Sequence, residues 1–308
     1  MAAVSTPPAT KHILRSPFLG ERFEYVLSAD EFEALRKAHG LLSEYMDFEE
    51  SVLQVIYSDE EFESFLLNTA LNHYLLPTHG FEFLQDARLR SNLKVLGFLN
   101  SVTSLRDQFP KFKGLGLTFD AREHFWTLWS TQQQGVTPFR FCERLRNYAQ
   151  HQTQPVSSVT MGGAWDKARE IMEDTLSIFV DVESVCANRK IPDAERIQFR
   201  AEFGERCDVS LVFRETMACI GKIVREVRSK LKDSLDVAIT TYDANLATAK
   251  TYGFEIAEVA TLFEGKVVKE FSVFLDFSKR AKRLRETYLM TNNQMHFISN
   301  RARGHASK

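Results

Sequence analysis

Residues 144–151, Arg-Leu-Arg-Asn-Tyr-Ala-Gln-His, bring together three kinds of side chain that take part in chemistry. Arg144 and Arg146 are fixed cations, Asn147 is a polar amide, and His151 belongs to the residue type that most often transfers protons near neutral pH. Cleavage of an RNA phosphodiester without a metal needs a base for the 2′-hydroxyl proton, an acid for the leaving 5′-oxygen and a cation for the dianionic transition state. This segment is therefore our candidate for an active site.

The segment lies at the end of a predicted helix that begins at Thr137. At about 100° per residue, Arg144, Asn147 and His151 share one face of this helix, whereas Arg146 lies about 140° away from His151. Two possibilities follow. Either the last turn of the helix is distorted, or Arg144 is the working arginine.

Helical periodicity dominates along the chain and strand-like alternation is scarce, so we expect an all-α fold. Ser28 followed by Glu31 has the form of a capping box, and Thr137-Pro138 is typical of a helix cap followed by the first helical residue. The spacing of apolar residues predicts further helices over 60–76, 81–109, from Asp120 onward, and over 165–188, 234–252, 254–277 and 279–299, with one helix or a broken pair over 192–232. We expect a compact N-terminal bundle followed by a C-terminal half of longer helices.

Four regions, with a short linker between the second and the third, are predicted from changes in composition. Residues 1–20 are small, polar and proline-containing and are expected to be flexible, and a helical domain is expected over 21–158. A small polar linker at 157–163 precedes a second helical domain over 164–300, and residues 301–308 are expected to form a frayed tail.

Composition excludes several classes of protein. A net charge of -2 over 308 residues lacks the basic excess of proteins that coat nucleic acid or anionic membranes without specificity. The longest stretch free of charged residues, 64–81, is interrupted by polar residues and proline, so no membrane segment is expected. The four cysteines form no C-x-x-C pair, which predicts neither a zinc knuckle nor a disulfide framework. We expect reduced thiols in a cytoplasmic protein without a bound metal.

Arg146-Asn147-x-x-x-His151 resembles the R-[polar]-x-x-x-H signature of HEPN domains. These are all-α domains found in many metal-independent ribonucleases of toxin–antitoxin, abortive-infection and RNA-guided defence systems. The resemblance covers roughly residues 20–158, and the short motif is its one specific part.

The resemblance implies a role for each residue of the motif. Arg146 would stabilise the transition state, His151 would act as general acid or base, and Asn147 would position them, with Arg144 as a second candidate for the arginine. No cofactor is implied. Because such domains commonly form dimers in which two motifs face each other, a homodimer is expected, with an antitoxin or regulatory partner possible in a bacterial defence or toxin effector. A tyrosine that follows the histidine by two residues in some of these toxins is replaced here by Thr153.

Two further groups of residues are candidates for supporting the site. On the helix over 81–109, Asn100, Ser104 and Asp107 are candidates for contacting the motif, or else form an ordinary polar face. A dense basic run in the C-terminal half is a candidate RNA-binding surface, or else a solvated helix face balanced by nearby acids: Lys279, Arg280, Lys282, Arg283 and Arg285.

Three functions from different classes therefore remain open. The first is a metal-independent endoribonuclease of HEPN type. The second is a non-enzymatic helical interaction module, such as an antitoxin or an adaptor. The third is a nucleic-acid binder that uses the basic run without cleaving its ligand.

Overall fold

The structure is a computed structural model, and it describes residues 10–17, 23–75, 80–109, 119–168, 170–251, 253, 256–287 and 298–305. The predicted all-α class is wrong, because long helices are combined with two four-stranded antiparallel sheets. In chain order the described elements are β1 (Lys11–Arg15), β2 (Glu24–Leu27), α1 (Ala29–Leu75), α2 (Phe81–Gln108), α3 (Phe119–Gly135), α4 (Thr137–His151), β3 (Ser158–Asp166), β4 (Ile171–Asp181), α5 (Val182–Cys186), α6 (Asp193–Phe203), β5 (Arg206–Asp208), α7 (Val209–Thr251), β6 (Ile256–Phe263), β7 (Lys266–Phe274), α8 (Phe277–Thr287) and β8 (Arg301–His305).

Helix α1 begins where the capping box predicts. The backbone N–H of Ser28 donates to Glu31 Oε2 at 2.8 Å, and the backbone N–H of Glu31 donates to Ser28 Oγ at 3.2 Å. These hydrogen bonds lower the pKa of the Glu31 carboxyl. The helix then continues without a break to Leu75, so the separate helix predicted over 60–76 is its second part.

Two regions that the sequence analysis assigned to helices are β-hairpins. Strands β3 and β4 replace the predicted linker at 157–163 and most of the helix predicted over 165–188. In β4, the alternate residues Leu176, Ile178 and Val180 are the buried ones, which is the two-residue period of a strand. Strands β6 and β7 replace the helix predicted over 254–277.

The turn of the second hairpin explains why that segment is not helical. Glu264 and Gly265 both have positive φ, at 51° and 76°, as the two central residues of a tight hairpin turn require. Apolar residues such as Val259 and Phe271 therefore come to lie opposite each other on neighbouring strands, not on one helix face.

Both ends of the described chain contain strands. Strand β1 falls within the segment 1–20 that was expected to be flexible, and it pairs with both β2 and β6. Strand β8 falls within the predicted tail 301–308 and pairs with β4. Strands β1 and β8 have only five residues each, and their partners β6 and β4 are distant in the sequence. Local periodicity therefore does not reveal either strand.

The chain divides into two compact units, each assembled from segments that are distant in the sequence. The first unit comprises Met1–Glu49, Phe112–Arg122 and Val227–Leu289, and it holds the sheet with strand order β2-β1-β6-β7 together with α8. The second unit comprises Glu50–Lys111, Glu123–Glu226 and Met290–Lys308, and it holds α2, α4, α5, α6 and the sheet formed by β3, β4, β5 and β8.

Within the first unit, a buried ion pair joins α1 to α7. Arg228 donates from Nε to Glu49 Oε1 at 2.9 Å and from Nη2 to Glu49 Oε2 at 2.6 Å, and Tyr45 also donates its hydroxyl to this carboxylate. Glu49 is 1% exposed and Arg228 is 7% exposed. Burial, together with the adjacent Glu49 charge, raises the pKa of the Tyr45 hydroxyl.

The second unit contains a similar buried pair. Arg214 on α7 donates to both carboxylate oxygens of Glu63 on α1, at 2.8 and 2.9 Å. Ser299 completes the group, because Arg214 donates to its hydroxyl at 3.0 Å and the hydroxyl donates to Glu63. Paired and hydrogen-bonded in this way, both charges remain satisfied in the interior.

All four cysteines are reduced and buried: Cys142, Cys186, Cys207 and Cys219. Burial raises the pKa of each thiol, to about 12 for Cys142 and Cys219. We expect a thiol reagent to react with the native protein at least about 100-fold more slowly than with the protein in denaturant, because reaction requires local opening. A thiol in the native state that reacted at the denatured rate would contradict this.

None of the helices in the described part of the chain combines the length and the apolar character needed to cross a membrane.

Candidate active site

Helix α4 has one buried face and one polar face. Its buried residues recur at helical spacing and pack into the second unit: Phe139, Phe141, Cys142, Leu145 and Tyr148. The helix begins at Thr137, with Val136 at the cap position in an extended conformation and Pro138 in the first turn. Thr137 is therefore the first helical residue and not the predicted cap. The polar face of α4 is left to carry Arg144, Asn147 and His151.

A carboxylate on α4 fixes the helix against its neighbours. Glu143 Oε1 accepts hydrogen bonds from Trp129 Nε1 on α3 at 2.8 Å and from Arg106 Nη1 on α2 at 3.1 Å, and Gln133 donates to Oε2. Asp107, predicted as a supporting residue, accepts from Arg106 Nε at 2.8 Å. Asp107 does not line the cleft that holds His151.

Helix α6 lies against the other side of α4. The ring centroid of Phe141 lies 5.1 Å from that of Phe199 and 4.9 Å from that of Phe203. At the polar edge of this contact, Arg144 Nε and Nη2 donate to the two oxygens of Glu195 at 2.9 and 3.0 Å. The Arg144 and Glu195 side chains are 26% and 19% exposed, so this bidentate pair is largely screened from water.

Arg144, Asn147 and His151 line one cleft of about 410 Å³ at the C-terminal end of α4. Gln152, Asn188, Lys190 and Ile191 form the rest of its wall. His151 is exposed, and its side chain makes no hydrogen bond to the residues that the structure describes. The three α4 residues that meet here are those at positions i, i+3 and i+7 of one helix face.

Arg146 is placed differently. It does not line this cleft, as the offset of about 140° between it and His151 on a regular helix predicts. Its Nη1 lies 3.4 Å from Asn147 Oδ1, and its Nε is buried with no hydrogen-bond partner among the described residues. The structure therefore brings together His151, Asn147 and Arg144 and leaves Arg146 outside.

The turn after α5 supplies the residues of the cleft that sequence reasoning missed. Asn188 Oδ1 accepts a hydrogen bond from the backbone N–H of Lys190 at 3.0 Å, and Asn188 O accepts one from Ile191 N–H at 3.0 Å. Ile191 is 2% exposed and anchors the turn in the core. The Asn-Arg-Lys sequence is a turn signal, but nothing local in it indicates that α4 lies opposite.

The connection that leaves α4 is fixed by a buried amide on α2. Asn92 is 2% exposed, and its Oδ1 accepts a hydrogen bond from the backbone N–H of Val156 at 2.9 Å. Its Nδ2 donates to Arg88 O at 3.0 Å and lies 3.4 Å from Gln154 Oε1. The backbone that follows His151 is thus held at a defined distance from α2.

The basic run forms one exposed side of α8, in the first unit. Ser278, Ala281 and Leu284 are the buried residues of this helix, and Arg285 is paired with Asp236 at 3.1 Å. The remaining basic residues of the run are exposed: Lys279, Arg280, Lys282 and Arg283. These residues and the α4 cleft belong to different units.

A second cleft, of about 450 Å³, lies between α1 and α2 in the second unit. Four of its charged side chains are engaged in two ion pairs, Lys94–Glu61 and Arg90–Asp86, both at 2.8 Å. A cluster of three or more His, Cys, Asp or Glu side chains suited to a metal ion does not occur among the described residues. We therefore take the α4 cleft as the candidate active site.

Comparison of the chain with models of known protein families, with curated proteins and with solved structures gave no match.

Proposed function

We propose that this protein is a metal-independent endoribonuclease whose active site is the cleft at the end of α4. The observation that carries the proposal is the meeting of an exposed imidazole, His151, with Asn147, Arg144 and Lys190 in one solvent-open cleft. This is the set of groups that cleavage by 2′-hydroxyl attack requires: a proton-transfer group, a polar positioning group and cations. Two of the three residues of the HEPN-like motif, Asn147 and His151, lie in this cleft and fit the same chemistry, whereas its Arg146 does not line the cleft.

In the proposed reaction, the neutral imidazole of His151 takes the proton of the 2′-hydroxyl as the 2′-oxygen bonds to phosphorus. The bond from phosphorus to the 5′-oxygen then breaks, and the 5′-oxygen receives a proton from an imidazolium. The products are a 2′,3′-cyclic phosphate and a free 5′-hydroxyl. A positive charge in the cleft stabilises the extra negative charge of the pentavalent transition state.

A second copy of the chain fits this scheme. One imidazole acts as base and the other as acid when two α4 clefts face each other, so that each histidine has one task. This is the arrangement that the resemblance implies, and we propose a homodimer for that reason. A role as a bacterial defence or toxin effector in the cytoplasm, controlled by an antitoxin or other partner, belongs to the same proposal.

The proposal is tested on RNA with the purified chain in excess EDTA. We expect a labelled single-stranded RNA to be cut into fragments that carry 2′,3′-cyclic phosphate and 5′-hydroxyl ends. We also expect expression of the protein in bacterial cells to arrest their growth. Intact RNA together with unaffected growth would overturn the proposal, and so would products with 5′-phosphate ends.

A non-cleaving nucleic-acid binder is a second candidate, favoured by the exposed basic side of α8. Lys279, Lys282 and Arg283 lie within one helix face and are solvent-exposed. If this candidate is correct, the same assay shows RNA that is bound but uncut, with binding that depends on these three residues and not on His151.

A further inference from the structure

We propose that Lys190, and not an arginine of α4, binds the phosphate group of the nucleic acid in the α4 cleft, with Asn188 donating a second hydrogen bond. The sequence motif points to an arginine, so this assignment changes which side chain meets the phosphate. It rests on the proposed function for the identity of the ligand, a phosphodiester, and it goes beyond that function in naming the residues that hold it.

Arg144 lines the cleft, but its charge is already engaged. Its Nε donates to Glu195 Oε2 at 2.9 Å, and its Nη2 donates to Glu195 Oε1 at 3.0 Å. A phosphate approaching this guanidinium also approaches the Glu195 carboxylate and is repelled by it. Release of Arg144 would leave Glu195 partly buried without a partner, which carries a large free-energy cost.

Lys190 is in the opposite situation. Its side chain is exposed at the wall of the cleft, and its ammonium group has no ion pair within the part of the chain that the structure describes. An ammonium group is a compact, strongly hydrated point charge with three donors, well suited to a phosphate oxygen. Lys190 therefore offers the cleft an unengaged positive charge.

The backbone that carries Lys190 is fixed, so its side chain starts from a defined position. Its N–H donates to Asn188 Oδ1 at 3.0 Å, and the buried Ile191 follows it. The carbonyl of Ile191 accepts from Arg196 Nε at 3.0 Å, which ties the turn to α6. Ordering this cation on binding a phosphate then involves the side chain alone.

The same turn fixes the orientation of the Asn188 amide. Because Asn188 Oδ1 accepts from the Lys190 backbone, the polar group left for a ligand is the amide NH₂, which is a donor. Asn188 and Lys190 thus present two kinds of hydrogen-bond donor from one turn, in the wall of the cleft that His151 also lines. Donors of this kind match the non-bridging oxygens of a phosphodiester.

The test measures binding of a fluorescent 2′-O-methyl oligouridine, which has no free 2′-hydroxyl and cannot be cut. We compare the full-length wild type with Lys190→Gln, with Lys190→Arg and with Arg189→Gln, since Arg189 is an exposed neighbour that does not line the cleft. Lys190→Gln should weaken binding about tenfold and lower the slope of log affinity against log salt concentration by about 0.7. Lys190→Arg should restore most of the affinity, and Arg189→Gln should leave it close to wild type.

Equal affinity and equal salt slope for Lys190→Gln and Arg189→Gln would overturn the assignment, and so would a wild-type protein that does not bind the probe. Cleavage of unmodified RNA is measured in parallel. Loss of probe binding in Lys190→Gln, with no cleavage by the wild type and no effect of its expression on growth, would support the phosphate site and overturn the ribonuclease. Cleavage by the wild type with unchanged binding by Lys190→Gln would support the ribonuclease and overturn the phosphate site. Thermal melting of each variant shows that the fold is retained.

Discussion

Replacement of His151 by alanine is expected to lower the rate of RNA cleavage by about 100-fold to 10,000-fold, the usual contribution of a general acid or base. His151 is the last residue of α4 and is exposed, so the substitution removes few packing contacts. We therefore expect a melting temperature close to that of the wild type. The rate constant is measured by single-turnover cleavage of a labelled single-stranded RNA in EDTA.

The matched control is Gln150→Ala, because Gln150 is the exposed neighbour of His151 on the same turn and does not line the cleft. It should cut RNA at the wild-type rate. His151→Gln keeps a polar side chain but cannot transfer a proton at neutral pH, so it should be as slow as the alanine variant. Cleavage by both His151 variants at the rate of Gln150→Ala would rule out His151 as the proton-transfer group.

Replacement of Arg228 by alanine is expected to lower the free energy of unfolding by about 3–5 kcal/mol. Arg228 makes a bidentate contact to Glu49, which is 1% exposed. Without Arg228, the carboxylate must either remain buried and unpaired or take up a proton, and both are costly. Urea unfolding followed by circular dichroism measures the change.

Two comparisons separate the loss of a buried pair from a general effect of removing a positive charge on α7. Lys232 forms a surface ion pair with Asp236 at 2.8 Å, with side chains 61% and 41% exposed, so Lys232→Ala should cost far less stability than Arg228→Ala. The double variant Glu49→Met with Arg228→Met should recover part of the stability that Arg228→Ala loses, because two apolar side chains of similar length leave no charge behind, while the Tyr45 hydroxyl loses its acceptor. Equal losses for Arg228→Ala and Lys232→Ala would contradict the prediction.

The sequence predicts helices well where their ends carry local chemical signals. The Ser28–Glu31 capping box and the bounds of α2 and α4 are within a few residues of the structure, since caps and prolines act on their own neighbours. It fails where apolar residues happen to fit both a helix and a strand, as in β4, β6 and β7. There the pairing of strands decides the structure, and the partners include β1, more than 200 residues away from β6 in the chain, as in the pair Ile13–Ala260.

In the candidate site, too, the sequence predicts what depends on one helix and fails for contacts between residues that are distant in the chain. The rotation of a regular helix predicts that Arg144, Asn147 and His151 share a face and that Arg146 does not, and the cleft contains the first three. Glu195 and Lys190 follow α4 by about 40 residues or more, and no local pattern indicates that they return to it. The state of Arg144, paired with Glu195, therefore becomes visible in the tertiary structure and not in the motif.

The hydrogen bond from Val156 N–H to Asn92 has a consequence for how this site can change over time. Asn92 lies on α2 and is absent from the cleft wall, yet it holds the backbone that leads away from His151. Substitutions at Asn92 act on the backbone after His151 while every residue that lines the cleft stays the same. If the cleft cleaves RNA as proposed, the rate of cleavage is open to gradual adjustment from a second layer of residues, without loss of the reacting groups.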